Sequence, residues 1–81
     1  MYTVYALHSL EFNKIYIGFT SDIDKRLDAH NHISNRGWTK KFQPWTLIFE
    51  QKYELKSDSM KQEKQLKSAK GRVFVRSLIP N

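Results

Sequence analysis

Two strand-forming runs lie so close together in this chain that pairing with each other is their simplest outcome. Residues 2–8, YTVYALH, are rich in β-formers, and Tyr2, Val4 and Ala6 alternate with Thr3, Tyr5 and Leu7. The next stretch, SLEFNK, carries polar turn formers around Asn13, and a second β-rich run begins at once with Ile15, Tyr16 and Ile17. So short a link predicts an antiparallel hairpin.

After the hairpin the pattern changes period. Thr20, Ser21 and Asp22 offer helix caps, and Ser21 with Asp24 has the form of a capping box, so a helix is expected from there to about His32. Ile23 and Leu27 would face the core, while Asp22, Arg26 and His30 form a second row at the same spacing, so that Arg26 and His30 project together. Residues 34–44, SNRGWTKKFQP, read as a loop with basic character, punctuated by Gly37 and Pro44. WTLIFEQKYE returns to strand composition, with Trp45, Leu47 and Phe49 expected on one face. Ser57 and Ser59 can cap a second helix, Gln62 completing a box from Ser59, and Gly71 is placed to stop it. The last segment, VFVRSLI, fits either a packing helix or a strand.

One residue of the second helix stands out. Met60, Leu66 and Ala69 mark its apolar stripe, and Glu63 lies three residues from both Met60 and Leu66, which puts a carboxylate on the side facing the protein. Burying that charge is costly without a partner. Either a lysine or arginine at the helix edge pairs with it, or it holds a hard cation such as Mg²⁺ through oxygen. Periodicity alone favours the ion pair.

Composition sets the frame. With 81 residues the chain is expected to form a single domain over 1–81 with one modest core. It has no cysteine, so neither a disulfide framework nor a thiolate zinc site is available. No apolar run approaches the roughly 20 residues of a membrane helix, and the N-terminus lacks a basic segment followed by an apolar one. A soluble, cytoplasmic protein with no membrane partner is expected. The 14 Lys and Arg against 8 Asp and Glu give a formal net charge of +6, which makes a polyanion the natural partner. Lysines that merely solvate helix surfaces explain the charge about as well.

The string HNH at His30, Asn31 and His32 is not a nuclease motif of that name, because three adjacent residues on one helix point in three directions. A three-histidine metal site from His8, His30 and His32 has no supporting spacing either.

The chain resembles the GIY-YIG nuclease superfamily, in particular its small stand-alone members. Thr3-Val4-Tyr5 stands where that family has GIY, and Tyr16-Ile17-Gly18 stands where it has YIG, about ten residues on. Arg26 and His30 in KRLDAHN, the PW before the third strand, and Glu63 in KQEKQLKSAK follow in order, so the resemblance covers nearly the whole chain. It implies an α+β fold, a three-stranded antiparallel sheet flanked by helices, and a metal-dependent endonuclease hydrolysing phosphodiester bonds of DNA. It also implies roles for residues. Tyr5 and Tyr16 would flank the scissile phosphate, with Tyr5 the stronger candidate to activate water, and Gly18 would leave room for the nucleic-acid backbone. Arg26 would oppose charge developing in the transition state, and His30 would position the water or share its proton. Glu63 would be the lone protein ligand of one divalent cation, Mg²⁺ or Mn²⁺. Thr3 replaces the first glycine of the pattern, and Phe19 stands where many relatives have a lysine or arginine. Lys14, Arg36, Lys40 and Lys41 are the candidate substrate-binding cations. The chain has no room for a separate DNA-selecting domain, so targeting would come from substrate structure or from a protein partner.

Taken singly, each of these residues has a plainer explanation. The two tyrosines suit a hairpin pair, Arg26 could bridge to Asp22, and His30 could face solvent. The alternative function is a non-cleaving nucleic-acid-binding module, in which Trp38 and Phe42 interleave with Arg36, Lys40 and Lys41 for base stacking. Those two aromatics could equally cover the core.

Overall fold

In the computed structural model, which describes residues 1–32, 35 and 37–80, the hairpin forms as its sequence requires. Strands β1 (Tyr2–Ser9) and β2 (Lys14–Thr20) pair antiparallel, and the chain turns through Asn13, whose φ of 52° lies in the left-handed region that asparagine tolerates better than most residues. Strand β3 (Thr46–Tyr53) adds antiparallel to the other edge of β1, giving the order β2-β1-β3. The expected α+β architecture, three strands flanked by helices, is therefore present.

As the central strand, β1 is buried on both sides, and its alternation sorts two chemistries onto the two faces. Val4 and Ala6, with Ile15 and Ile17 of β2, meet helices α2 (Lys56–Lys67) and α3 (Ala69–Ser77), where Leu66 and Val75 complete an aliphatic cluster. Tyr5 and Leu7 point the other way. There they pack with Trp45, with Ile23 and Leu27 of helix α1 (Ile23–Asn31), and with Phe42 of a short 3-10 helix, Trp38–Phe42. Arg76 of α3 donates to the Asn13 carbonyl and side chain, tying the last helix to the hairpin turn.

Several local expectations change on folding. Trp45, Leu47 and Phe49 do not share a face: the register steps from Ala6↔Phe49 to Leu7↔Leu47, so Ile48 is an extra, bulged residue and Phe49 joins the aliphatic side. Asp22, not Ser21, caps α1, its carboxylate accepting from the Lys25 amide at 3.1 Å. Helix α2 starts earlier than Ser57 or Ser59 could cap it, and Ser59 lies inside it, fully buried, donating to the Lys56 carbonyl. Met60 is about half exposed, so Ser59 and Leu66 mark the buried side of α2.

Gly71 does not end α2. Ser68 does, and its hydroxyl accepts from the Gly71 amide to start α3. A Cβ on Gly71 would overlap the Gln65 carbonyl and approach Leu66 Cα to 2.5 Å, so glycine there lets α3 fold tightly against the end of α2. The VFVRSLI segment consequently enters a helix rather than a strand. Among the described residues, no helix is long and apolar enough to cross a membrane.

Candidate active site

Strand register assembles the first half of the site. Tyr5 lies directly opposite Gly18 and Leu7 opposite Tyr16, which sets both tyrosines on one face with stacked rings 6.2 Å apart. A Cβ on Gly18 would come within 2.9 Å of Tyr5 Oη and 3.2 Å of Tyr16 Cε1. Glycine at this position leaves room for the two tyrosine rings. Phe19, next along the strand, packs against the aliphatic cluster on the opposite face.

Helix α1 supplies the second half. His30 is buried, its Nε2 3.1 Å from Tyr5 Oη and its Nδ1 3.1 Å from Thr39 Oγ1. Thr39 also accepts from Asn35 Nδ2 at 2.7 Å, and the His30 carbonyl accepts from both Asn35 and Gln43. Asn31 and Trp45 exchange two hydrogen bonds that join the end of α1 to the start of β3, and Trp45 Nε1 donates to the Thr39 carbonyl. Sequence reasoning missed Thr39, Asn35 and Gln43. They sit in a stretch without periodicity, where only their polar type hints at a task.

Electrostatics hold the Tyr5–His30 pair neutral. Burial pushes the Tyr5 phenol well above its ordinary range; the Tyr16 hydroxyl adds to this, the Arg26 guanidinium opposes it, and the Glu63 carboxylate adds a smaller push. Burial, then Arg26, lowers the His30 imidazole. At neutral pH a phenol therefore faces a neutral imidazole, and with Nδ1–H donating to Thr39 the free Nε2 lone pair would receive the Tyr5 proton. Arg26 itself is exposed and borders an open groove of about 310 Å³ shared with Thr20, Ser21, Asp22, Lys25 and Ala29. The α1 row joining Arg26 to His30 is present, while Asp22 is occupied as the cap.

Glu63, on α2, lies near enough to Tyr5 for its carboxylate to raise the phenol slightly. Its side chain is 21% exposed and pairs loosely with Lys67 across 3.6 Å, so the ion pair expected from periodicity exists, in a half-open form. Among the described residues, no three His, Cys, Asp or Glu side chains converge to hold a metal. His8 instead lies near Asn13, its Nε2 3.4 Å from Oδ1. One partly open carboxylate with hard oxygens still suits Mg²⁺ or Mn²⁺, which take one or two carboxylates and fill their other positions with water and phosphate.

Of the candidate substrate-binding cations, Lys14, Lys40 and Lys41 are exposed, and Lys14 Nζ stands 5.7 Å from the Phe42 ring centroid. Arg36 lies outside the described residues.

Comparison with known proteins places the fold. The model of the GIY-YIG catalytic domain matches residues 1–76. The chain belongs to the GIY-YIG family. Within it, the chain is similar to UPF0213 proteins of Staphylococcus aureus strains Mu3 and Mu50, at 32% identity over 54 residues, 67% of this chain and 66% of theirs. The solution structure of the UPF0213 protein BH0048 from Bacillus halodurans superposes with a TM-score of 0.56 at 26% identity, covering 96% of this chain and 85% of that one. Thr3-Val4-Tyr5 and Tyr16-Ile17-Gly18, the segments that resemble the family triplets, build the Tyr5–Gly18–Tyr16 face.

Proposed function

We propose that this GIY-YIG domain is a divalent-cation-dependent endonuclease that hydrolyses phosphodiester bonds of DNA. The observation that supports the reading is the buried pair of Tyr5 on β1 and His30 on α1, held at 3.1 Å and tuned by Arg26. A phosphate resting over Tyr5 and Tyr16 would bring water to Tyr5 Oη. Because the phenol resists ionisation, it acts as a relay: it takes the water proton as its own moves to His30 Nε2. Thr39 keeps the imidazole turned for this transfer, and burial keeps it neutral until the proton arrives. Arg26 stabilises the charge that gathers on the phosphoryl oxygens, with a guanidinium fork suited to them. Glu63 would hold the cation, which when bound polarises the phosphate and eases departure of the leaving oxygen. Lys14, Arg36, Lys40 and Lys41 would add sequence-independent attraction for the backbone.

The test is nicking of supercoiled and branched DNA in Mg²⁺ or Mn²⁺ beside Glu63→Gln. Cleavage by wild type should fall by about 10²-fold or more in the variant, while the melting midpoint barely moves, since the 3.6 Å pair is loose and its Lys67 end is half exposed. A large drop in stability, equal with and without metal, would reassign Glu63 to a structural role.

A further inference from the structure

Beyond Tyr16 the aromatic rings do not stop. Trp38 lies 6.4 Å from Tyr16 and 4.8 Å from Phe42, and Phe12 at the hairpin turn lies 5.4 Å from Phe42. Trp38 is 52% exposed and Phe12 44%, although the core beneath them is already closed by Trp45, 3% exposed and hydrogen-bonded through its indole nitrogen. Rings whose task was to cover that core would hide more of themselves. The border of this surface is cationic: Lys14 over Phe42, and Lys40 and Lys41 on the turn that carries Trp38. An apolar protein partner would gain little from such a rim, whereas a polyanion with flat faces matches both parts of it.

We infer that Trp38, Phe42 and Phe12 form a stacking platform for unpaired bases of a DNA strand whose phosphate lies at Tyr5 and Tyr16. The placement of that phosphate rests on the nuclease reading above; the platform itself rests on the exposed rings and their lysines. Inside duplex DNA both faces of each base are covered by its neighbours, so away from a duplex end a base is offered to Trp38 by a tail, flap or opened junction. The surface therefore selects substrates with unpaired nucleotides beside the cleaved bond.

The experiment compares binding, by fluorescence anisotropy in EDTA at fixed salt, of a duplex bearing a short thymidine tail with the same duplex bearing an abasic tail. Both carry the same phosphates, so charge cancels. Wild type should bind the thymidine tail about tenfold tighter. Trp38→Leu should erase the difference and Trp38→Phe keep most of it; if Trp38→Leu melts early, Phe12→Leu serves as the second reading and should shrink the preference. Equal affinity for the two tails, or a preference untouched in Trp38→Leu, overturns the platform. Because no metal is present, this outcome is independent of cleavage: a tail preference without nicking once Mg²⁺ is restored supports the platform and defeats the nuclease reading, and nicking without a tail preference does the reverse.

Discussion

The two faces of the sheet are built from neighbouring residues of one strand and have little else in common. Val4 and Ala6 look onto an aliphatic cluster closed by Leu66 and Val75, whereas Tyr5, one residue away from each, looks onto rings and hydrogen bonds from His30 and Thr39. The aliphatic face gains its stability from non-directional burial and close packing. The aromatic face depends on geometry: Tyr5, His30, Thr39 and Asn35 hold one another through a chain of polar contacts that has to be satisfied as a unit. A domain this small thus keeps its aliphatic core apart from the polar network proposed to react, simply by which way β1 side chains point.

That separation is sharpest in a paired substitution. Tyr5→Phe should lower DNA nicking by about 10²-fold or more at a cost of about 1–3 kcal/mol in stability, since the ring remains but His30 Nε2 loses its partner. Leu66→Ala should do the opposite, costing about 2–5 kcal/mol in denaturant unfolding while the molecules that remain folded nick at the wild-type rate. Equal effects on both readouts in either variant would break the division between the faces.

Gly18→Ala probes the seam between stability and chemistry. Its new methyl meets Tyr5 Oη and Tyr16 Cε1, so the rings must shift, at about 1–3 kcal/mol. Nicking should fall by more than that loss of stability accounts for, because Tyr5 moves away from His30. Wild-type nicking by a stable Gly18→Ala protein would show that the position of the Tyr5 ring is not critical.

The smallest effect is in pH. His30 titrates below its ordinary value in the fold, so below about 6.5 the unfolded chain binds a proton that the folded chain refuses. Its contribution to stability is therefore present at neutral pH, declines as pH falls, and levels off once the lowered value is passed. His30→Gln should flatten that part of the melting-temperature profile, and Thr39→Val, which takes away the Nδ1 partner, should cut nicking by about tenfold without flattening it. An unchanged profile in His30→Gln would sink the neutral-imidazole assignment.

Much of this could be read from the chain alone. The period-2 runs around Asn13 fix the hairpin, the four-residue spacing of Arg26 and His30 puts them on one row of α1, and the triplets at Tyr5 and Tyr16 mark the family. Glu63 was legible as a carboxylate on the inner side of a helix even though its supposed companion Met60 turned out to be exposed. Patterns like these survive in sequence because a regular element repeats its contacts at a fixed interval. The bulge at Ile48, the role of Ser68 as both end and beginning of a helix, and the use of Gly18 to seat Tyr5 belong to single residues and leave no interval to detect. Thr39 is the clearest case: it lies nine residues beyond His30, and only the fold of residues 37–45 over α1 brings its hydroxyl to the imidazole. Sequence therefore determined the hairpin, the third strand and the first two helices, with the polar groups they carry, and left the last segment open between helix and strand. Tertiary structure decided which groups touch, because burial, tautomer and charge depend on neighbours distant along the chain.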